Sequence, residues 1–262
     1  MNGAGNDFVL VDGRAQKQTL SGAQIVRLCD RHRGVGADGV IFLVPSAGGR
    51  ADWAWRFYNS DGSTGEMCGN GARCFAHFVR SRTGMDRDFS FETEAGIIRA
   101  SFQGTQVSVS LTQPKNLLLN ELVPLSTGPT TLHSLNTGVP HAVLYVADAD
   151  KAMLEQLGPE IRRHPHFAPR GTNVNFVQVL GANRIRVRTF ERGVEGETLA
   201  CGTGVTASAL ISSRVHKFTS PVQVQVQGGD RLEVSFADRN GDFSDVRLTG
   251  PAEFVFEGRI EV

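Results

Sequence analysis

The sequence predicts a mixed α+β protein made of two related domains, and two observations carry this prediction. Apolar and polar residues alternate in several short segments, such as residues 107–111 and 222–226, a pattern typical of half-buried and mostly antiparallel strands. In addition, a strand-like stretch, a polar loop, a Cys-Gly-X-Gly turn and an apolar helix follow one another twice, around Cys68 and around Cys201. A repeat of this kind indicates two similar domains that face each other.

Four helices are predicted from capping residues and from apolar side chains at helical spacing. The first follows Ser21, the second covers residues 148–157 and ends at Gly158-Pro159, and the other two begin directly after Cys68 and Cys201. Since helices are few and alternating segments are many, we expect strands to make up most of the regular structure.

Further strands are expected wherever the same alternation occurs. These segments are residues 184–188, 232–236 and 254–256. Residues 112–131 are instead rich in Pro, Asn and Leu, a composition typical of connections. We therefore expect that segment to link the two domains.

Charge and composition exclude several classes of protein. The 262 residues carry 27 Lys and Arg against 27 Asp and Glu, whereas a nucleic-acid-binding protein usually has a basic excess. No apolar run reaches the roughly 20 residues of a membrane span, and no secretory signal is visible at the start. Four cysteines in a chain of this length do not make a disulfide scaffold. We therefore expect a cytoplasmic protein with reduced thiols and no nucleic-acid or membrane partner.

The predicted position of Cys68 and Cys201 at helix N-termini has two chemical consequences. Exposed N–H groups and the helix dipole lower the pKa of a thiol, which makes a thiolate accessible near neutral pH. The same N–H groups can bind an anion such as a carboxylate, and the neighbouring glycines let that anion approach the backbone.

Two such sites facing each other across a cleft predict a two-base isomerase. If both helix N-termini hold the carboxylate of an α-amino acid, its Cα lies between the two sulfur atoms. One thiolate then removes the α-proton, and the other thiol delivers a proton to the opposite face. Reactive contacts of ~3–3.5 Å place the sulfurs roughly 7 Å apart in the closed state. Amides aimed at the carboxylate would stabilise the developing enolate.

Five motifs around this pair resemble those of one known family. They are Asn6-Asp7-Phe8, Asn59-Ser60-Asp61-Gly62-Ser63, Met67-Cys68-Gly69-Asn70-Gly71-Ala72-Arg73-Cys74, Glu191-Arg192-Gly193 and Ala200-Cys201-Gly202-Thr203-Gly204. The chain is similar in them to the diaminopimelate epimerases, and the two cysteine motifs are the most specific. It departs from the family at Val139, where an Asn often precedes Pro-His.

The resemblance implies an isomerase that converts L,L-diaminopimelate to the meso form, for lysine and peptidoglycan synthesis, without pyridoxal phosphate, any other cofactor or a metal. It implies two pseudo-symmetric domains, each a mostly antiparallel sheet wrapped around a central helix, with the active site in the cleft between them. Because the family's last strand returns to the first domain, the domains would be residues 1–114 with 253–262, and residues 115–252. A homodimer is expected. Members usually carry a short strand before the segment Asn2-Gly3-Ala4-Gly5-Asn6-Asp7-Phe8, which a chain beginning at Met1 is expected to lack.

The resemblance also assigns residues to the reacting centre. Cys68 and Cys201 would be the acid–base pair. His141 and Glu191 would orient or bind the reacting amino group. The reacting carboxylate would be held by backbone N–H groups of Gly69, Asn70, Gly202 and Thr203.

The distal, non-reacting end of the substrate would be read by three further residues, Asn59, Asn173 and Arg192. Arg192 suits a bidentate contact with a carboxylate. Asn6 would line the pocket.

Other interpretations stay open at this point. Either cysteine alone could be a buried small hydrophobe, and His141 could be structural. The same fold could serve another cofactor-independent racemase, such as a proline-racemase-like enzyme. The protein could also be a thiol redox module in which the two cysteines form a reversible disulfide. Of the remaining residues, Cys29 and Cys74 are expected in the core and Arg73 on a helix surface.

Overall fold

The computed structural model describes residues 1–15 and 20–261. The chain divides into two compact units, Met1–Ser110 with Thr249–Val262, and Leu111–Leu248. The boundaries expected from the sequence lie a few residues further along the chain. Strands dominate both units and most pairs are antiparallel, so the predicted mixed α+β class is confirmed.

Among its described residues, the first unit contains seven strands and two helices. They are β1 (Asn2–Gly3), β2 (Asn6–Asp12), α1 (Gly22–Cys29), β3 (Gly39–Val44), β4 (Trp53–Asn59), α2 (Gly69–Thr83), β5 (Phe89–Thr93), β6 (Gly96–Gln103) and β7 (Gln106–Ser110). The strands are hydrogen-bonded in sequence order; the β2–β3 and β4–β5 pairs are parallel, and the other pairs are antiparallel.

The second unit adds nine strands and two helices. They are β8 (Lys115–Leu125), β9 (Gly128–Asn136), β10 (Pro140–Tyr145), α3 (Leu154–Arg162), β11 (Asn173–Gly181), β12 (Arg184–Glu191), β13 (Gly196–Thr198), α4 (Gly202–Val215), β14 (Val222–Gln225), β15 (Arg231–Arg239) and β16 (Asp242–Gly250), whose end reaches into the first unit. The strand order is β16-β15-β14-β12-β11-β10-β9-β8, with β13 on β12.

The pairing pattern confirms the internal repeat. In the first unit a parallel pair, β2–β3, is followed by the antiparallel β3–β4, then by α2 and the parallel β4–β5. In the second unit β10–β11, β11–β12, α4 and β12–β14 follow in the same order and with the same directions. The repeated sequence unit is therefore a repeated fold unit.

One long helix lies at the centre of each unit. In the first unit α2 contacts β1, β2, β3 and β7, and in the second α4 contacts β9 to β12, β14 and β15. Both helices are buried on almost every side over their first two turns, which requires partners all round and not on one face only. Their first turns are therefore held against the sheet of their own unit.

The predicted start of α1 is confirmed together with its physical reason. Ser21 forms a capping box, since its side chain accepts from the backbone N–H of Gln24 and the Gln24 side chain accepts from the backbone N–H of Ser21. Ile25, Leu28 and Cys29 are buried on one face, as their spacing predicts. The second predicted helix was placed too early, because α3 begins at Leu154 and continues to Arg162.

Two residues explain why the C-terminal end predicted for that helix is wrong. Pro159 lies inside α3, and Gly158 serves packing, because a Cβ there would lie 2.7 Å from the ring of Phe190. A Gly-Pro pair therefore does not end this helix.

The expected linker at residues 112–131 is also wrong, because most of it is strand. β8 tolerates Pro124 since it is the last strand in the order, and proline is accepted at sheet edges. Asn116 and Asn120 have positive φ angles of 56° and 59°, and the register of β8 against β9 shifts in this stretch. Asn accommodates such backbone readily, so loop-like composition here marks an irregular edge strand.

The expected strand at residues 254–256 is absent from the described residues. Only Glu253 pairs, in a single antiparallel bridge with Asn2, and Phe254 and Phe256 are exposed. The segment from Thr249 does belong to the first unit. Two aromatic residues at alternate positions are therefore too weak a signal for a strand.

Candidate functional site

Cys68 is the N-cap of α2, as the sequence predicts. Its backbone is extended, and the backbone N–H of Gly71 donates to Sγ at 3.5 Å. The side chain is half-buried. At Gly71 an added Cβ would lie 3.1 Å from Ile41 and 3.3 Å from Phe8, so this turn packs closely on the sheet. The sulfur is therefore fixed beside the backbone amides of the first turn of a helix.

A partly buried polar network supports the same turn. Asn70 donates to Asn6 Oδ1 at 2.5 Å, and Asn6 donates in turn to Asp38 Oδ2 at 3.0 Å. Arg73 donates to Asn70 Oδ1 at 2.9 Å and to the carbonyl oxygens of Gly69 and Pro251, both at 3.3 Å. Two of the expected substrate-binding residues, Asn6 and Asn70, are thereby brought into contact.

Arg73 itself was expected on the helix surface, and that prediction is wrong, since the residue is fully buried. A buried guanidinium must satisfy its N–H donors. Here carbonyl and amide oxygens accept them. The positive charge lies within the first turns of α2, near the cap Cys68.

Asn59 lies at the end of β4, in the same unit. Its side chain donates to Ser63 Oγ at 3.0 Å, and its backbone N–H donates to the Ser63 carbonyl at 2.9 Å. These bonds close the polar loop that leads towards Cys68. The residue is half-buried, so the loop fixes an amide that stays partly accessible.

Cys201 is the N-cap of α4 and is buried. Its Sγ lies 3.5 Å from Thr203 Oγ1, and buried Thr137 donates from its hydroxyl to the Thr203 carbonyl at 2.9 Å. The second turn thus repeats the backbone arrangement of the first and uses different side chains for support. None of the four cysteines is in a disulfide in the described structure, and Cys29 and Cys74 are buried as expected.

His141 lies near the start of β10 and is almost completely buried. Its Nδ1 lies 3.2 Å from Asn175 Nδ2, whereas its Nε2 has no hydrogen-bond partner among the described residues. Burial, and to a lesser extent the charge of Arg192, lowers the pKa of His141 to about 3. The imidazole is therefore neutral at physiological pH.

Asn173 joins the starts of β10 and β11 to the end of β12. It donates to the Pro140 carbonyl at 3.2 Å and accepts from the backbone N–H of Arg192 at 2.8 Å. Burial, followed by the charges of Arg162 and Arg170, lowers the pKa of the Arg192 guanidinium. Arg162 is already paired with Glu195 at 3.0 Å, so Arg192 and Arg170 are the cations of this group that favour an anionic ligand.

Glu191 ends β12 one residue before Arg192. Its Oε2 accepts from Thr198 Oγ1 at 2.9 Å, and its carbonyl accepts from the backbone N–H of Glu195 at 2.8 Å. The carboxylate is half-buried and held in place by β13. A cavity of about 240 Å³ lies in this unit, with Arg170, Thr172 and His141 in its lining.

Sequence reasoning missed the residues that support the site. Arg73, Thr137 and Asn175 each contact an expected site residue and are each buried. No local pattern marks them, although Asn175 follows Asn173 at strand spacing and so shares its side of β11.

Comparison with known proteins decides the family. The family model described as diaminopimelate epimerase matches residues 1–116 and 133–255. The chain belongs to the diaminopimelate epimerase family. The diaminopimelate epimerase of Aquifex aeolicus is 43% identical over 274 residues, covering 99% of this chain and 96% of the relative. That of Synechocystis is 38% identical over 280 residues, covering 100% and 97%. Epimerases are isomerases, which gives the enzyme class.

Solved structures at low identity confirm the fold alone. A phenazine biosynthesis protein of the PhzF family from Bacillus anthracis has a TM-score of 0.77 at 16% identity, and covers 100% of this chain and 95% of its own. A probable proline racemase from Agrobacterium radiobacter has a TM-score of 0.65 at 19% identity, covering 87% and 77%. Among the described residues of this family member, no helix has the length and apolar character needed to cross a bilayer.

Proposed function

We propose that the protein epimerises L,L-diaminopimelate to meso-diaminopimelate with Cys68 and Cys201 as its two bases. The observation that carries the proposal is the repeated cap: each cysteine is the N-cap of a buried central helix, in two units of the same pairing pattern. Family membership supplies the substrate, since the relatives are named for it. One of the two proposed bases comes from each compact unit.

The proton balance of the reaction is simple. The thiolate of one cysteine takes the α-proton, and the electron pair passes into the carboxylate as an enolate. The thiol of the other cysteine then gives its proton to the opposite face of Cα. Each turnover therefore leaves the two sulfurs with exchanged protonation states, and no group other than the two thiols gains or loses a proton.

The reacting carboxylate is proposed to lie against the first turns of α2 and α4. Backbone N–H groups of Gly69, Asn70, Gly202 and Thr203 are the donors. Orphan amides at a helix N-terminus favour an anion, and they favour it more as charge develops in the enolate. The half-buried carboxylate of Glu191 is the acceptor proposed for the reacting ammonium, and His141 is proposed as an orienting residue of the reacting centre.

The distal end of the substrate is proposed to meet Asn59, Asn173 and Arg192. The cations around Arg192 match a second carboxylate, and Asn173 fixes the backbone of Arg192 directly. Asn6 is proposed to line the pocket, held by Asn70 and Asp38. A homodimer in the cytoplasm, acting without cofactor, metal, nucleic acid or membrane, completes the proposal; light scattering of the purified protein tests the dimer.

The decisive experiment measures proton exchange. Reduced protein is incubated with L,L-diaminopimelate in D₂O, and NMR follows α-deuterium and the meso product. We expect both in the wild type, and a loss of at least ~100-fold in Cys68→Ser and in Cys201→Ser, the lower range for removing a general acid or base. Cys29→Ala is the matched control, since that thiol belongs to the core.

Each outcome favours one interpretation. No exchange with this substrate would refute the proposed function, and exchange with proline instead would indicate a proline-racemase-like enzyme. Inertness towards both, with a reversible Cys68–Cys201 disulfide, would indicate the redox module. Wild-type turnover in either serine variant would refute the two-base assignment.

A further inference from the structure

Asn175 is the buried centre of a short hydrogen-bonded relay in the second unit. Its Oδ1 accepts from Thr189 Oγ1 at 3.0 Å. Its Nδ2 donates to the Ala142 carbonyl at 2.9 Å and lies 3.2 Å from His141 Nδ1. Asn175 is fully buried, and Thr189 and His141 are nearly so, so water does not compete for these bonds.

The relay fixes the orientation of the Asn175 amide. A backbone carbonyl can only accept, so the atom facing Ala142 must be the NH₂ group. That group has two hydrogens: one points to Ala142, and the other is available to His141 Nδ1. Because a donor faces Nδ1, this ring nitrogen must accept, and the proton of the neutral imidazole must lie on Nε2.

This network touches the first turn of α4. A Cβ added to Gly204 would lie 2.3 Å from Asn175 Oδ1 and 3.3 Å from His141 Cε1. Cε1 of His141 therefore packs on the first turn of α4. Because Cε1 is bonded to Nε2, the Nε2–H group lies next to this turn. A buried donor without a partner among the described residues is costly unless a ligand satisfies it.

We propose that Asn175 is a positioning residue that holds His141 as the Nε2–H tautomer, so that His141 donates to the reacting carboxylate and does not accept from the reacting amino group. The identity of the acceptor rests on the proposed function. The tautomer does not, because it follows from the relay alone. Neutrality of the ring agrees with its burial and with the nearby charge of Arg192.

The tautomer can be measured on the unchanged protein. Long-range ¹H–¹⁵N correlation spectra of histidine-labelled protein distinguish Nδ1–H, Nε2–H and imidazolium, and His141→Asn assigns the signal by its disappearance. We expect Nε2–H at pH 7 and still at pH 5. An Nδ1–H tautomer or an imidazolium at pH 7 would overturn the proposal, whether or not the enzyme is active.

Two variants separate positioning from stability. Asn175→Asp replaces the donor facing Nδ1 by a carboxylate oxygen, so we expect Nδ1–H or imidazolium and a kcat/KM about 30-fold lower, the loss expected for one hydrogen bond to a charged group. Thr189→Val removes only the bond to Oδ1. It should keep the tautomer and remain within about threefold of wild-type kcat/KM, even if its Tm falls. Asn240→Asp, in an exposed turn, controls for the added charge.

The results also separate this inference from the proposed function. Exchange with diaminopimelate together with an Nδ1–H tautomer overturns only the role of Asn175. An Nε2–H tautomer with Asn175→Asp as active as Asn240→Asp overturns the donor role of His141. Absence of exchange in the wild type refutes the proposed function, and with it the reacting carboxylate as the acceptor for His141. The tautomer of His141 is still read directly from the spectrum.

Discussion

Replacing Gly204 by alanine tests whether the first turn of α4 is as tightly packed as the relay beneath it requires. The matched variant is Gly71→Ala, at the same place in the other Cys-Gly-X-Gly turn. Both changes gain about 1 kcal/mol, because alanine is the better helix former. The difference between them therefore reports only what each new methyl group meets.

The two methyl groups meet different surroundings. At Gly204 the nearest atom is Asn175 Oδ1 at 2.3 Å, whereas at Gly71 the nearest atoms are the side-chain tips of Ile41 and Phe8 at 3.1 and 3.3 Å. Aliphatic and aromatic tips can yield by a few tenths of an ångström. An amide held by several hydrogen bonds cannot move without losing some of them.

The magnitude follows from that contrast. Overpacking costs about 1–3 kcal/mol, and each hydrogen bond lost from the relay costs ~1 kcal/mol. After the gain in helix propensity, Gly204→Ala should be about 2 kcal/mol less stable than wild type, and Gly71→Ala should lie within ~1 kcal/mol of it. For a domain of this size the first figure lowers Tm by roughly 4–8 °C.

Thermal unfolding followed by circular dichroism checks the prediction, with urea unfolding as a second measure. Histidine spectra of Gly204→Ala add a specific readout, because displacement of Asn175 should disturb the Nε2–H state of His141. Equal midpoints for the two variants, or a more stable Gly204→Ala, would refute the packing argument.

Three further perturbations have expected outcomes. Arg73→Met leaves buried oxygens without donors and should lower the free energy of unfolding in urea by ~3 kcal/mol; a loss under 1 kcal/mol would contradict its structural role. The pKa of the Glu195 carboxyl is lowered, mainly because it accepts a hydrogen bond from the backbone N–H of Gly193. The ionised carboxylate therefore stabilises the native state, and this stabilisation is lost as the pH falls below the usual Glu pKa of about 4.3. A Glu195→Gln variant should therefore lose less Tm on acidification than wild type, and parallel curves would contradict this. Burial raises the pKa of Cys29 to about 11 and of Cys74 to about 12. Iodoacetamide at pH 8 should therefore leave both thiols unlabelled in the native protein and label both in urea, as measured by peptide mass spectrometry. Labelling of either thiol in the native protein would contradict its burial in the core.

Local patterns in the sequence were enough to place the two Cys-Gly-X-Gly turns. A cysteine followed by Gly-X-Gly and by apolar residues at helical spacing predicts a helix whose N-cap is that cysteine, since the cap and the first turn are neighbours in sequence. Cys68 and Cys201 are N-caps for this reason. Ser21 caps α1 by the same logic. Where the local signal was composition alone, as at residues 112–131, the expectation failed.

Partners distant in sequence could not be found in this way. Arg73 was assigned to the surface because a charged residue in a helix is usually exposed. Its guanidinium is in fact satisfied by Gly69 and Asn70 and by the carbonyl of Pro251, which is distant in sequence. The hydrogen-bond partners of Asn175 likewise include residues of β10, which lies some thirty residues earlier in the chain. Burial of a polar group depends on which strands become neighbours, and no period within one strand encodes that.

The two halves keep the same backbone arrangement and support it with different side chains. In the first unit a guanidinium and two asparagine amides hold the turn after Cys68. In the second, the hydroxyl of Thr137 donates to the carbonyl of Thr203, in the turn after Cys201, and the neutral imidazole of His141 lies against Gly204. Amides at a helix N-terminus bind any small anion, so the repeated part is suited to a carboxylate but does not identify the molecule that carries it. Discrimination must come from the parts that differ. For that reason we expect changes at Arg192 or Asn59 to alter which amino acid is accepted, and changes at either cysteine to abolish turnover of every substrate alike.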